Sequence, residues 1–354
     1  MTQFFDAHVL VTGAASGLGR LMALEAVHRK ARVTLLDRDA EGLERVREEL
    51  CRLGGDASAL VVDLADRAAL QAVCAQVLAA RGGVDILINN AGIVSGKPLL
   101  ETSDEAIERT FQVNTLAHFW TVRAFLPGML SRGRGHLVTV ASVAGLAGTS
   151  RLSDYCASKF AAVGFDESLR VELKRQGSPV RTTVVCPYFI DTGMFAGAST
   201  RFSWLLPILQ PDYVVRRIMT AIERNRSRLI LPRFVLALPV ARVLPPVLFD
   251  AVLRLLGVSR SMDHFRGRQR DQTEKGLLPP MNTDEKLTCL SGSLRLFLPS
   301  RISTKDTKNL HKGARRRSHR ADRASGPGAP GRVRPAKGAA AGTAFWGRSQ
   351  PPPP

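Results

Sequence analysis

The sequence predicts an α/β protein: one doubly wound domain in which helices cover both faces of a parallel sheet. Three observations carry this. Short apolar runs alternate with stretches of helical periodicity from His8 to Pro187. The first run and the first helical stretch are joined by a glycine-rich turn, Thr12-Gly13-Ala14-Ala15-Ser16-Gly17-Leu18-Gly19. Polar residues collect where the apolar runs stop, and in an open parallel sheet those carboxyl ends form the crevice that receives ligands.

The elements follow in order. His8–Thr12 reads as the first strand, and Arg20 to Val27 continues as a helix. Strand, glycine turn and helix together fit a pyrophosphate site. Glycines let the backbone turn tightly, and the helix N-terminus offers N–H groups and the positive end of its dipole. The spacing is GxxxGxG, so Gly13, Ser16, Gly17, Leu18 and Gly19 are candidate cofactor contacts. The second strand, Arg32–Asp37, ends in a carboxylate about 20 positions beyond the glycines. There Asp37 would accept from the adenosine ribose hydroxyls and repel a 2′-phosphate, which favours NAD over NADP; Arg38, directly following, pulls the other way. The third strand, Ala59–Asp63, places Asp63 and Leu64 near an adenine ring, and the fourth, Val84–Asn89, runs into Asn90-Ala91-Gly92. A fifth, His136–Ser142, precedes Ser153-Asp-Tyr155-Cys-Ala-Ser-Lys159. The four-residue interval puts Tyr155 and Lys159 on one face of a helix, one turn apart. A fixed ammonium favours a phenolate, so Lys159, together with a second positive charge in a dry site, is expected to lower the pKa of Tyr155 from its ordinary value near ~10.

The set TGxxxGxG, NNAG, Asn114, Ser142 and YxxxK resembles the classical short-chain dehydrogenases/reductases over roughly residues 5–270. That resemblance implies a Rossmann-like fold and hydride transfer between a nicotinamide cofactor and a carbinol carbon. It implies Tyr155 as acid/base and Lys159 as its electrostatic partner and ribose ligand. Ser142 would be the substrate-oxygen ligand, and Asn114 the holder of a water that leads to Lys159. It also implies cofactor contacts from Pro187, Ile190 and Thr192. A narrower likeness lies in Asn114–Trp120, Tyr188–Phe195, Leu205–Pro211 and Met262–Arg268. These segments look like the group containing epidermal retinol dehydrogenase 2 and the lipid-droplet 17-beta-hydroxysteroid dehydrogenases. The implied substrates are lipophilic alcohols and ketones, and a homodimer through the helices carrying Asn114 and Tyr155 is implied with them. Val143, Leu146, Leu152, Tyr188, Phe189, Met194, Phe195, Phe202, Trp204 and Leu205 are the apolar candidates for that substrate side. The alternative is a dinucleotide-binding module that associates with lipid surfaces or protein partners without turnover. Two departures stand out. Enzymes of that group usually carry an apolar N-terminal anchor, whereas here the first strand begins about seven residues in. The usual Pro-Gly after the sixth strand is Pro187-Tyr188.

The formal charge of +19 over 354 residues is unevenly spread. Residues 271–354 hold sixteen Lys and Arg against six Asp and Glu, so +10 of it lies there. That segment, rich in Ser, Gly, Pro, Ala and Arg, reads as a disordered tail following the 1–270 domain. The high charge is thus no sign of a specific nucleic-acid-binding fold. Five scattered cysteines without a CxxC argue against a disulfide framework or a metal site. No signal peptide and no run of 18 apolar residues appears, so a cytoplasmic chain that is not secreted is expected. The apolar stretch from Phe234 to Leu256 is broken by Arg242, Asp250 and three prolines. It suits peripheral contact with a membrane or lipid droplet, or a cover over the substrate pocket or a dimer seam.

Overall fold

The computed structural model describes residues 1–267. The expected tail from residue 271 lies outside them, as does Arg268. Seven parallel strands form one sheet in the order β3-β2-β1-β4-β5-β6-β7: β1 His8–Thr12, β2 Arg32–Asp37, β3 Ala57–Val61, β4 Ile86–Asn89, β5 His136–Val140, β6 Arg181–Pro187 and β7 Arg228–Leu231. The order reverses between β1 and β4, and that switch point opens the crevice at their carboxyl ends.

Both faces of the sheet are covered, which is why its central strands read as nearly continuous apolar runs. The period of two sorts each strand between two cores. Val9 and Val11 join Val33, Leu35, Ile86 and Ile88 beneath α1 (Gly17–His28), α2 (Ala40–Arg52) and α7 (Pro211–Glu223). Leu10, Leu36 and Leu87 face α3 (Arg67–Arg81), α5 (Ala117–Arg132) and α6 (Ser153–Arg175). A shorter helix, α4 (Asp104–Phe111), runs into α5 through a π-helical turn, Gln112–Leu116.

Three strand boundaries differ from expectation. β3 starts at Ala57 and stops at Val61; it is an edge strand, paired to β2 alone, and its last pair is Asp37 with Val61. β4 starts two residues late because Asp85 is used otherwise, its carboxylate accepting from the His8 N–H at 3.0 Å. β5 ends at Val140, and Ser142 instead opens a 3-10 turn at Val143–Gly145, its hydroxyl accepting from the Ala144 N–H. The apolar stretch after β7 forms a 3-10 turn (Arg233–Ala237), the short α8 (Leu238–Ala241) and α9 (Pro246–Leu255), interrupted where the prolines deny backbone donors. No helix among the described residues is long and apolar enough to cross a membrane.

Candidate active site

The first wall of the site is the glycine turn, held by the neighbouring strand end. The Thr12 hydroxyl accepts from the Asn90 and Ala91 N–H groups at 3.0 and 3.1 Å, and the Asn90 amide donates to the Thr12 and Gly13 carbonyls at 2.9 and 3.2 Å. Gly13 has φ +66° and a Cβ there would meet Ala91 Cα at 2.7 Å; at Gly19 it would stand 2.1 Å from the Gly13 carbonyl oxygen. Two chain segments approach here more closely than any side chain allows. Asp37 completes the wall at the end of β2. One carboxylate oxygen accepts from the Ala15 N–H at 3.0 Å and the other from the Asp39 N–H at 3.1 Å, so it both braces the turn and faces the crevice.

Asp63 is placed on the same crevice but is ion-paired to Arg109 at 2.7 Å and accepts from the Ala65 N–H at 3.0 Å. Burial works to raise its pKa, and these two donors outweigh burial and hold it below the usual carboxylate range. Arg109 was not legible as a site residue, because the pair joins α4 to the end of β3 across 46 positions.

The chemical end of the site is built on α6. Tyr155 and Lys159 are both buried on one face, and the ammonium lies 5.7 Å from the centre of the phenol ring, donating to the Val140 carbonyl at 2.9 Å. Lys159 by itself does not bring the phenol's pKa down. Burial of Tyr155 dominates and pushes it above its ordinary value, with only a hydrogen bond to Ser142 pulling it down. Burial likewise pulls Lys159 down to about 8, so the lysine still carries its proton at neutral pH. Ser142 also reaches the Pro187 carbonyl at 3.4 Å.

Asn114 sits inside the π-helical turn, a local widening that is common at functional sites. Its amide donates to the Ile93 carbonyl at 2.9 Å and the Ser158 hydroxyl at 3.0 Å, and its oxygen accepts from the Ile93 N–H at 2.8 Å. Gly92 lies between it and the lysine. A Cβ on Gly92 would be 3.4 Å from Lys159 Nζ and 3.5 Å from Asn114 Oδ1, so both polar atoms face one small space that a side chain would fill.

Two cavities meet at this point. The larger, about 670 Å³, has Gly13, Ser16, Leu18, Asp37, Asp63, Leu64, Asn90, Ala91, Gly92, Ser142, Tyr155, Lys159, Pro187, Ile190 and Thr192 in its walls. That gathers nearly every cofactor candidate; Gly17 and Gly19 stand behind the turn and Asn114 behind Gly92. The smaller, about 210 Å³, is apolar. Ser142, Tyr155, Tyr188 and Phe195 belong to both, so Ser142 and Tyr155 stand at the junction of a polar cleft and an apolar chamber. Phe195 packs edge-on against Tyr155 at 5.7 Å.

Of the expected substrate-side residues, Val143, Leu152, Phe189, Tyr188 and Phe195 line the chamber. Met194 lines the polar cleft instead, Leu146 packs into a neighbouring core, and Trp204 is 80% exposed. Leu206 replaces Leu205 in the chamber wall, and Phe202 does not reach it. The far wall comes from Phe234, Val235, Leu238, Ala241, Val252, Leu253 and Leu256, the proline-broken stretch after β7. Arg266, within the Met262–Arg268 segment that carries the narrower family likeness, lines the polar cleft, although it was not singled out as a site residue. Cys74, Cys156 and Cys186 are free and buried, and among the described residues no group of His, Cys, Asp and Glu is arranged to hold a metal.

Comparison with known proteins agrees with this geometry. A family model described as short chain dehydrogenase matches residues 7–201. The chain is 45% identical over 269 residues to short-chain dehydrogenase/reductase family 16C member 6 of Bos taurus, covering 74% of this chain and 84% of that protein. It is 43% identical over 266 residues to epidermal retinol dehydrogenase 2 of Homo sapiens, covering 73% and 84%. A crystal structure of a short chain dehydrogenase/reductase from Burkholderia phymatum in complex with NAD matches with a TM-score of 0.63 at 28% identity, over 72% of this chain and 97% of that one. With the doubly wound sheet, the glycine turn at its switch point and the serine–tyrosine–lysine cluster all in place, the chain belongs to the short-chain dehydrogenase/reductase family.

Proposed function

We propose that residues 1–270 form an NAD-dependent oxidoreductase that interconverts a lipophilic alcohol, of the retinoid, steroid or long-chain class, and its carbonyl compound. The observation that carries the reading is the pair of hydroxyls, Tyr155 and Ser142, at the junction of the polar cleft and the apolar chamber. The relative named epidermal retinol dehydrogenase 2 supports the substrate class.

The residues fit a dinucleotide. Gly13 and the α1 N-terminus line the cleft and would hold a pyrophosphate; Asp37, in the same wall, would meet the adenosine ribose, and Lys159, Ile190 and Thr192 would meet the nicotinamide end. A bound nicotinamide supplies the hydride acceptor or donor and, when oxidised, a positive charge. The chain's own part is proton movement and orientation. Ser142 donates to or accepts from the substrate oxygen and fixes it beside Tyr155. Tyr155 holds its proton in the resting site, since burial favours the neutral phenol, and so is poised to give it to a carbonyl oxygen. In the reverse direction the phenol must first give up its proton, by way of Lys159, before it can take that of the alcohol, and the positive charge of an oxidised nicotinamide would offset the burial that disfavours the phenolate. Proton return runs by way of Lys159 and the small space it shares with Asn114. The apolar chamber excludes water and matches a hydrocarbon substrate.

Incubation with NAD and retinol, a steroid alcohol or a long-chain alcohol is expected to raise absorbance at 340 nm, with kcat/KM for NAD exceeding that for NADP. Asp37→Ser is expected to narrow that ratio by at least about tenfold, a change of ~1.4 kcal/mol in discrimination. Equal use of both cofactors by the unsubstituted protein removes the NAD assignment, and no turnover with any alcohol or ketone removes the enzyme reading.

Peripheral lipid contact is part of the same proposal. The segment whose inner face walls the chamber leaves Val240, Val243, Val247 and Leu255 more than 60% exposed, and apolar side chains exposed together on one segment suit a lipid surface. Arg242 and Arg254 sit among these residues, where a lipid headgroup would pair with them. Flotation with anionic liposomes is expected for the full chain and is expected to fall when Val243 and Val247 are both changed to Asp; unchanged flotation removes this contact.

A further inference from the structure

Three buried histidines follow two different rules. In His8 both ring nitrogens are paired, Nδ1 with the Gly83 carbonyl and Nε2 with the Thr34 hydroxyl at 2.8 Å. In His136 the partners are the hydroxyls of Thr2 at 2.8 Å and Thr183 at 2.7 Å. His118 is as deeply buried, 2% exposed, yet neither of its ring nitrogens has a protein partner. An imidazole buried with donor and acceptor both unmet is destabilising. A fold that pairs its other two buried rings twice over does not carry that cost idly, and buried water is the ordinary remedy.

The position of the ring says what such water would serve. His118 stands four residues after Asn114, just past the π-helical turn, on the buried first turn of α5. Next to it the Thr115 hydroxyl donates to the Ser158 carbonyl at 2.9 Å, fastening this part of the chain to the turn of α6 that carries Lys159. From the other side the Thr121 hydroxyl donates to Asn89 at 2.8 Å, fastening it to the end of β4. Lys159 is the charge that acts on the ring, and it agrees with burial in keeping the imidazole neutral. A neutral imidazole offers one donor and one acceptor, which is what an oriented water needs at each end.

We propose that His118 is a positioning residue that anchors buried water beside Lys159, extending the small space between Lys159 and Asn114 into a hydrated path by which the lysine exchanges protons with solvent. The ring does not itself carry the proton; it stays neutral and orients the water that does. The inference rests on the oxidoreductase reading of the site for its purpose, and on the two unpartnered nitrogens for its existence.

The test separates the two. In the full-length protein labelled with ¹⁵N-histidine, both ring nitrogens of His118 are expected to show hydrogen-bonded chemical shifts at pH 7, and shifts of free nitrogens overturn the proposal whether or not the protein turns over substrate. With turnover established, His118→Phe is expected to lower kcat about tenfold. KM for NAD should stay within about twofold, the solvent deuterium isotope effect on kcat should rise, and the pH dependence of kcat should move. His118→Gln, which restores one donor and one acceptor, is expected to recover kcat to within about threefold and to return the pH profile. An unchanged kcat, isotope effect and pH profile in His118→Phe overturns the proposal. So does a loss of activity that follows a lowered melting temperature and is not recovered in His118→Gln.

Discussion

Tyr155→Phe is expected to lower kcat by at least about a thousandfold while leaving the dissociation constants for NAD and for the alcohol within about twofold. The first figure corresponds to roughly 4 kcal/mol of transition-state stabilisation, the upper part of what one positioned acid or base supplies. The second follows from packing. The ring of Tyr155 is buried, and Phe195 meets it edge-on at 5.7 Å, a contact a phenylalanine ring keeps. What disappears is one hydroxyl at the junction of the two cavities, with its hydrogen bond to Ser142. Single-turnover absorbance at 340 nm, with equilibrium binding measured separately, checks both halves. Residual turnover above about a tenth of the unsubstituted rate would show that another group moves the proton, and the mechanism built on Tyr155 would fail.

The parts of this site that were legible in the sequence are those fixed by local rules. A glycine turn between a strand and a helix has few alternatives, because Gly13 and Gly19 stand where no Cβ fits. Tyr155 and Lys159 lie one helical turn apart, so their shared face follows from chain geometry. What was not legible depends on contacts distant in sequence. The Arg109–Asp63 pair spans 46 positions and joins elements on either side of β4. The chamber's far wall is drawn from a stretch whose prolines break every periodicity, so a cover over the pocket was one of several readings of its apolar character, and only the tertiary contacts place it beside Ser142 and Tyr155. The lysine alone does not produce the expected drop in the phenol's pKa, for a related reason. Spacing reports that a lysine is near, whereas the balance between charge and burial depends on how dry the site is, and here burial wins. Trp204 misled in the opposite way: an aromatic beside a substrate-side run reads as pocket, and it faces solvent.

The same dryness sets up a large effect away from the chemistry, at Asp166. This carboxyl lies on α6 two turns beyond Lys159 and is 1% exposed. Burial pushes it up to about 7, against hydrogen bonds from Thr182, at 3.3 Å, and Thr139 and against the charges of Arg170 and Arg228. The folded protein therefore holds a proton between the ordinary carboxyl value of 3.8 and about 7, where the unfolded chain has lost it. Stability from this group is complete below the lower value, falls as pH rises through that window, and levels off above the upper one. Asp166→Asn removes the cost while keeping an oxygen to accept from the threonines. It is expected to stabilise the protein by about 4 kcal/mol at pH 8, at roughly 1.4 kcal/mol for each tenfold change in proton affinity, and by almost nothing at pH 4. The buried histidines pull the other way. Burial holds His118 and His136 near 3 and lowers His8, so each of them costs stability as pH falls below about 6.5. Only the difference between variant and unsubstituted protein isolates the aspartate. Thermal melting of both at pH 4 and pH 8 measures that difference. Equal changes in melting temperature at the two pH values, or a lower melting temperature for the variant at pH 8, would mean that Asp166 carries its charge without penalty, and that the interior of the sheet beneath α6 is wetter than its packing requires.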